Sequence, residues 1–191
     1  MDAKEKILEA AITCFCRDGF HLTTTRKIAS EAKVSNGLIN YHFQDTTHIF
    51  WEVIRYIYGL MTPLVRAEVA EATGIDKIKK VIEANFHLHV DRHPKYYSCI
   101  LLSYYIATYD EELGKLHQEF YRSSIKTLCK ILSEYYKSKN KKTLRPLELL
   151  GLAQSIWNEM EGGLLFASVT KDKKHNRMMR SQLDLLEIKL Q

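Results

Sequence analysis

Proline and glycine are scarce in this sequence. Its 191 residues include three prolines and eight glycines, while 46% are hydrophobic and 27% are charged. These proportions exclude an intrinsically disordered chain or a fibrous repeat and are typical of a globular protein with a buried core. Leucine, alanine, lysine and glutamate, which favour helices, are abundant. No segment alternates as a strand does, so we expect an all-α fold.

Long apolar runs are also missing. The longest span a few residues, as at 99–102, whereas a helix needs about 20 apolar residues to cross a bilayer. The first residues carry charges of both signs, without the basic-then-apolar order of an export signal. The sequence therefore predicts a cytoplasmic protein with no membrane partner.

Cysteines are few. Cys14, Cys16, Cys99 and Cys129 form no Cys-x-x-Cys pair, which argues against a zinc ribbon and against a secreted disulfide framework. Cys14 and Cys16 lie nearly opposite each other around a helix and cannot readily pair with each other. We expect reduced, mostly buried thiols, although control by redox state stays open as an alternative.

Motifs of common enzyme sites are absent. The chain has no HExxH, no phosphate-binding glycine loop and no nucleophile elbow, so we expect a protein that is not an enzyme and has no cofactor. His89 and His93 have the i, i+4 spacing of metal ligands. His93 precedes Pro94 at a predicted helix end, however, and solvated histidines are commoner than ligands, so no metal site is predicted.

Apolar periodicity and capping residues divide the chain into about nine helices. We predict helices at 3–18, 25–32, 36–42, 46–72, 76–92, 95–108, 111–137, 146–169 and 175–189. Residues 1–45 form a small N-terminal module in this prediction, residues 46–191 form a larger helical bundle, and the helix at 46–72 connects the two.

Residues 25–43 have the pattern of a helix-turn-helix. Ala29 allows two helices to approach closely, and Ser35 can cap the second helix. Four apolar residues supply a small core: Ile28, Val34, Ile39 and Phe43. The other positions of the second helix carry mostly hydrogen-bonding side chains, and such a helix fits the major groove of DNA. The alternative is a helical hairpin within a larger bundle.

The same segment and its flanks resemble the TetR family of bacterial repressors. The matching features are an apolar first helix with Phe15 and Gly19, Thr-Thr-Arg-Lys-Ile-Ala at 24–29, Val-Ser-x-Gly at 34–37, and Tyr-His-Phe at 41–43. Residues 34–39 are also similar to the choline and betaine regulators of that family. The resemblance implies a three-helix DNA-binding domain, a connecting fourth helix, and a C-terminal domain that binds a small molecule and dimerises through its last two helices.

The resemblance also implies which residues face DNA. They are Thr25, Arg26, Ser35, Asn36, Gly37, Leu38, Asn40, Tyr41, His42 and Thr46. Tyr41 and His42 are expected to contact phosphates, whereas Asn36, Leu38 and Asn40 are better placed to read bases.

Three positions depart from the family pattern. Lys33 stands where the turn usually has glycine, so it must accept a positive φ or the chain must turn differently. Asn40 stands where tyrosine is common. Thr46 stands where lysine is common at the start of the fourth helix, so a phosphate contact there would come from a hydroxyl or the helix N-terminus.

Aromatic residues are concentrated in the predicted C-terminal bundle. Eight of the eleven tyrosines lie between residues 96 and 136, and an aromatic-lined ligand cavity is therefore plausible there. The residues predicted to bind a small-molecule ligand are Phe86, Tyr97, Tyr104, Trp157 and Glu161. Rings and a carboxylate suit a cationic ligand, and an apolar ligand fits the rings almost as well.

The last two predicted helices offer an apolar seam for a homodimer. Its predicted residues are Gly162, Gly163, Phe166, Met179, Leu183, Leu186 and Leu190, and internal core is the alternative use of this stripe. We therefore expect a homodimeric repressor that leaves a palindromic double-stranded operator when a small-molecule inducer binds. The alternative is a regulator of the same fold controlled by redox state or a protein partner.

Overall fold

The computed structural model describes residues 2–139, 144–170, 179 and 181–186. This part of the chain is helical and contains no strand, which confirms the predicted all-α fold. Its elements are α1 Ala3–Asp18, α2 Thr25–Ala32, α3 Asn36–His42, α4 Thr46–Glu68, α5 Gly74–Phe86, a π-helical segment His87–Arg92, α6 Pro94–Ile106, α7 Glu111–Ser138, α8 Pro146–Thr170 and α9 at 181–186.

Local capping explains why α1 keeps its predicted bounds. The Asp2 side chain accepts a hydrogen bond from the Glu5 N–H at 2.8 Å, and the Glu5 carboxylate accepts one from the Asp2 N–H at 2.9 Å. This reciprocal capping box satisfies two helix-terminal donors. At the other end, Gly19 takes a φ of 76° and its N–H donates to the Phe15 carbonyl, an ending that favours glycine.

The predicted helix at 76–92 is interrupted. The α-helical part ends at Phe86, and the chain continues as a π-helical turn that buries Leu88 and His89. The His93 N–H closes this turn by donating to the Leu88 carbonyl at 2.8 Å, an i to i−5 bond. Pro94 keeps His93 out of the α region and so ends the element. Burial lowers the pKa of His89 to about 4.

The contacts group the chain into two compact units. The first comprises residues 1–61 and 95–117, and the second comprises residues 62–94 and 118–191. These units follow packing and do not coincide with a boundary at 45/46, because the first part of α4 and all but the first residue of α6 belong to the first unit. The functional division into 1–45 and 46–191 stays a prediction.

A carboxylate ties three helices of the first unit together. Glu9 on α1 accepts hydrogen bonds from the hydroxyls of Tyr56 on α4, at 3.0 Å, and Tyr96 on α6. Burial, together with this carboxylate, raises the pKa of Tyr56 to about 12 and raises that of Tyr96 as well. Both tyrosines therefore stay neutral donors at physiological pH.

A second polar cluster in the first unit centres on His117. Its Nδ1 lies 2.8 Å from the Tyr58 hydroxyl, and its Nε2 lies 3.0 Å from the hydroxyl of the fully buried Ser103. Burial lowers the pKa of His117 to about 4, so the imidazole is neutral near pH 7. The cluster satisfies polar groups within an otherwise apolar region.

In the second unit, α8 lies close to the π-helical segment, α5 and α9. Gly163 allows a close approach, because a Cβ there would lie 2.9 Å from the Phe86 ring and 2.2 Å from the Gln182 amide. Gln182 on α9 also donates to the Glu159 carbonyl of α8. Among the helices described, none has the length and apolar character needed to cross a membrane.

Candidate nucleic-acid interface

The turn between α2 and α3 depends on one strained residue. Lys33 adopts the left-handed conformation, with φ 54° and ψ 47°. Its N–H donates to the Ser30 carbonyl at 3.2 Å, and the Val34 N–H donates to the Ala29 carbonyl at 3.0 Å. These bonds satisfy carbonyls at the end of α2. Of the two routes open to a residue in place of the usual glycine, the chain takes the positive φ.

The next residues fix the start and the orientation of α3. Ser35 caps the helix, since its Oγ accepts a hydrogen bond from the Leu38 N–H at 3.2 Å. Ile39 is the only buried residue of α3, and Phe43, directly after the helix, is buried too. The helix is therefore held by one side chain and by its two ends, and its other side chains reach the surface.

All the residues predicted to face DNA are at least partly accessible. Tyr41 is 82% exposed. The exposed members of the set are Arg26, Ser35, Asn36, Gly37, Asn40 and Tyr41, and the half-buried members are Thr25, Leu38, His42 and Thr46. The structure brings Ser35 to His42 onto one short element, with Thr25 and Arg26 at the start of the helix before it.

Gly37 is not required by the packing of the chain. A Cβ at this position would meet only the Ser35 Oγ at 3.8 Å, an ordinary contact. Glycine favours a helix less than alanine does, so the protein gives up some stability here without a packing reason. The missing side chain leaves the α3 backbone open to close approach from outside.

Ion pairs neutralise some of the positive charges on the surface of this module. Arg17 pairs with Glu31 at 2.9 Å, and Lys27 pairs with Asp18 at 3.1 Å. The Arg17 guanidinium, helped by Lys27, lowers the pKa of Asp18 to about 2.

Two other cations of the module have no such partner. Among the residues the structure describes, neither Arg26 nor Lys33 makes an ion pair, and both are exposed. In the sequence, Lys33 stands out only as the residue in place of the glycine usual in the turn. Its position beside α3 makes it a further candidate for phosphate contact.

Thr46 sits in a less favourable place for an anion. Asp45 caps α4, with its Oδ1 accepting from the His48 N–H at 2.7 Å. A carboxylate at the helix N-terminus satisfies a donor that a phosphate would otherwise use and repels an approaching phosphate. The predicted phosphate contact at Thr46 therefore competes with a cap within the chain.

The predicted ligand residues fall into both units. Two of them belong to the first unit: Tyr97, which is buried, and Tyr104, which is 37% exposed. The other three belong to the second unit: Phe86, Trp157 and Glu161. Phe86 is buried.

Trp157 has aromatic neighbours that the sequence pattern did not assign to it. Its ring lies 5.9 Å from Phe120 and 6.3 Å from Tyr121, centroid to centroid, both in edge-on geometry. Glu161 follows one turn later on α8 and is half-buried.

A separate cavity of about 430 Å³ opens in the second unit where α5 begins and α7 ends. Gly74, Lys77, Tyr135 and Lys139 are among its lining residues, and none of the five predicted ligand residues lines it. No group of three or more His, Cys, Asp or Glu side chains that could hold a metal occurs among the described residues.

The predicted dimer residues divide between two sides of α8. Gly162 has open space in front of it and Phe166 is 56% exposed, whereas Gly163 is buried against Phe86 and Gln182. Leu186 on α9 is 2% exposed within the chain. Met179 and Leu183 are half-buried, and Leu190 lies outside the described residues.

Residues 7–53, which contain α1 to α3 and the start of α4, match the model of the family described as bacterial regulatory proteins, tetR family. The match confirms the resemblance to the TetR family over these N-terminal residues. The matched family supports the helix-turn-helix prediction over the alternative of a helical hairpin in a bundle.

Two relatives illustrate how far this similarity extends. The HTH-type transcriptional regulator YerO of Bacillus subtilis is 28% identical over 129 residues, which are 66% of this chain and 43% of YerO. The HTH-type transcriptional regulator BetI of Yersinia pestis is 26% identical over 86 residues, which are 44% of this chain and 43% of BetI. The match thus spans less than half the length of each relative. These proteins are regulators, not enzymes.

Solved structures show that the TetR-type fold extends over the chain. A transcriptional regulator from Saccharomonospora viridis in complex with choline has a TM-score of 0.82 at 21% identity, covering 97% of this chain and 95% of its own. FadR from Bacillus subtilis in complex with stearoyl-CoA has a TM-score of 0.79 at 23% identity, covering 95% of this chain and 96% of its own.

The strain at Lys33 gives a test of the turn. A residue with a β-carbon in the left-handed region destabilises the folded state by roughly 1 to 2 kcal/mol. Glycine avoids this strain, but part of the gain is lost because glycine makes the unfolded chain more flexible. We expect Lys33→Gly to raise the free energy of unfolding by about 0.5 to 1 kcal/mol. Urea unfolding measures the change, and Lys33→Ala, which keeps the β-carbon, is the control. Equal stability of the two variants would contradict the turn geometry.

Proposed function

We propose that this TetR-family regulator is a homodimeric repressor. In this proposal α3 of each protomer enters the major groove at one half of a palindromic operator, and a small molecule bound in the C-terminal domain releases the DNA. The observation that supports it most is α3 itself, because one buried residue anchors a helix whose other side chains are accessible and rich in hydrogen-bonding groups.

The proposed DNA contacts divide into two kinds. Arg26, Lys33 and the Tyr41 hydroxyl contact phosphates and set the register of the protein on DNA. Asn36 and Asn40 present amides that can pair with adenine, and Leu38 can meet a thymine methyl group. The bare backbone at Gly37 lets α3 lie close to the groove.

The proposed dimer forms through an exposed apolar stripe on α8. Gly162, Leu165, Phe166 and Val169 follow the i, i+3, i+4, i+7 spacing of a single helix face. Leu165 is 46%, Phe166 56% and Val169 68% exposed within the chain. Exposed apolar side chains contiguous on one face favour a protein interface. The buried Gly163 and Leu186 serve packing within the protomer in this proposal.

The proposed ligand lies against Trp157. Phe120 and Tyr121 flank this ring, and Glu161 stands one turn away, so aromatic rings and a carboxylate, the groups that attract a quaternary ammonium ion, share this part of the second unit. The choline complex of a protein with the same fold supports this ligand class. The stearoyl-CoA complex of FadR supports the second candidate, an acyl chain, which would use the rings and not the carboxylate.

Two substitutions separate the contacts that read bases from those that bind phosphates. We expect Asn36→Ala to lose about 1 to 3 kcal/mol of preference for operator over scrambled DNA, while Lys33→Ala weakens binding to both alike and lowers the salt slope by about one. Fluorescence anisotropy with a duplex from the region flanking the protein's own gene measures both. Lys126→Ala, an exposed lysine on α7, is the control. Equal binding of operator and scrambled DNA by the wild type would contradict the proposal.

The second prediction concerns assembly. Phe166→Glu places a charge in the proposed seam, where burial without a partner is costly, and we expect a folded monomer by sedimentation velocity and circular dichroism. Operator affinity should fall about 10²- to 10⁴-fold because the two half-sites lose their linkage. Leu147→Glu, at an 81% exposed leucine on the same helix, should remain dimeric. A dimeric Phe166→Glu protein would place the interface elsewhere.

The third prediction concerns the ligand. With choline as the probe, Trp157→Ala and Glu161→Gln should each weaken binding by roughly tenfold, because one removes a π face and the other a charge. Stearoyl-CoA should respond to the first change and little to the second. Titration calorimetry measures both, with Glu119→Gln on the exposed face of α7 as the control.

The same titrations test induction. If ligand and operator oppose each other, operator DNA must weaken ligand binding by the factor by which the ligand weakens operator binding, usually about 5- to 150-fold. Identical ligand affinity with and without operator would contradict release by this ligand.

A further inference from the structure

Two cysteines that are far apart in sequence meet in the first unit. Cys16 lies near the end of α1 and Cys99 in the first half of α6, and their Sγ atoms are 3.6 Å apart. Cys99 is 1% exposed, whereas Cys16 is exposed. A disulfide has an S–S length of about 2.0 Å, so the sulfurs are in contact and not bonded. Approach by roughly 1.5 Å would join them.

The surroundings make the two thiols unequal. Cys99 can donate a hydrogen bond to the Cys16 sulfur, and this bond, together with the nearby positive charge of Lys95, lowers the pKa of Cys16. The same bond and burial raise the pKa of Cys99 well above its usual value. Because the thiolate is the reactive form of cysteine, the accessible member of the pair is the nucleophile, and the buried member holds its proton beside it.

The other two cysteines lack such a partner sulfur among the described residues. The Cys14 sulfur is buried and lies 3.8 Å from the Arg17 guanidinium, and the Cys129 sulfur lies 3.9 Å from the Leu149 carbonyl. Burial raises the pKa of both thiols. They serve as internal controls for any chemistry at Cys16.

We propose that Cys16 and Cys99 form an oxidation site that takes a hydroperoxide, with hydrogen peroxide as the simplest case, and ends as a disulfide within one chain. This site goes beyond the ligand-controlled repressor proposed above and does not depend on it. Through this site an oxidant would act on the protein at α1, a helix of the N-terminal module.

The first step uses the Cys16 thiolate. Its sulfur attacks one peroxide oxygen, an S–O bond forms, the O–O bond breaks, and the leaving hydroxide takes a proton to become water. Cys16 is now a neutral sulfenic acid. Cys99 then no longer faces a thiolate, which removes the main cause of its raised pKa.

The second step closes the bridge. The Cys99 sulfur attacks the Cys16 sulfur, the S–S bond forms, the S–O bond breaks, and the hydroxyl leaves with the Cys99 proton as a second water. In total the two thiols lose two electrons, and one hydrogen peroxide is reduced to two waters. A small thiol can reverse the reaction by exchange at the accessible Cys16 sulfur.

The test begins with the reduced full chain, treated with a small excess of hydrogen peroxide and then blocked with an alkylating agent. We expect the number of free thiols to fall from four to two, and non-reducing peptide mapping to join residues 7–17 to residues 96–115. Cys14 and Cys16 share the peptide 7–17, so the mapping is repeated on Cys14→Ser, which should keep the bridge. Cys129→Ser should keep it as well.

Three outcomes would overturn the proposal. One is a bridge that survives in Cys16→Ser or is lost in Cys14→Ser. Another is a wild-type Cys16 that goes on to sulfinic acid with Cys99 still alkylated. The third is a bridge found only between two chains, seen as a dimer on a non-reducing gel. Cys99→Ala should lose the bridge too, and the wild-type mapping decides the matter even where that variant fails to fold.

Thermal unfolding gives a second readout. A bridge that closes a long loop in the arrangement already present should raise Tm by roughly 5 to 15 °C, and reduction should reverse the change. Cys16→Ser should show no rise after peroxide. A lower Tm in the bridged wild type would mean that the disulfide distorts the contact between α1 and α6, which would contradict closure from the described geometry.

Discussion

A helix of seven residues such as α3 cannot hold itself in place, and this constraint shapes the N-terminal module. Isolated helices of that length are unstable in water, and α3 buries only Ile39. Its position therefore depends on what fixes its ends: the left-handed Lys33 and the Ser35 cap before it, and the buried Phe43 after it.

The packing of α1 with α4 and α6 is organised around a polar centre. The apolar face of α1 carries Phe15, whose ring meets that of Phe50 on α4 at 4.7 Å between centroids. Glu9 on the same helix accepts hydrogen bonds from Tyr56 and Tyr96. Apolar packing alone would allow the helices to slide, whereas a carboxylate held by two hydroxyls from different helices fixes their register. The contact between Cys16 and Cys99 belongs to this same junction of α1 and α6.

The sequence predicted those features that depend on neighbours along the chain. The bounds of α1, α2 and α3 follow from caps and apolar periodicity, whereas at Lys33 the sequence left a positive φ and a different turn both open. Features that depend on distant residues were not predictable. Adjacent glycines Gly162 and Gly163 look alike in sequence, yet one faces open space and the other faces Phe86. Likewise, nothing local indicates that Cys16 meets a sulfur 83 positions away.

The charges of the module explain why a dimer suits the proposed operator binding. Arg17 and Lys27 are held by Glu31 and Asp18, so few cations remain for phosphates on each protomer. Each phosphate contact adds salt-dependent binding free energy through counterion release. One module with so few contacts would bind weakly and with little preference for the operator over other DNA. Joining two modules doubles both the phosphate contacts and the base contacts and makes the second encounter intramolecular. Weak modules therefore make the spacing between them decisive in the proposed dimer, and a small change in that spacing would have a large effect on operator occupancy.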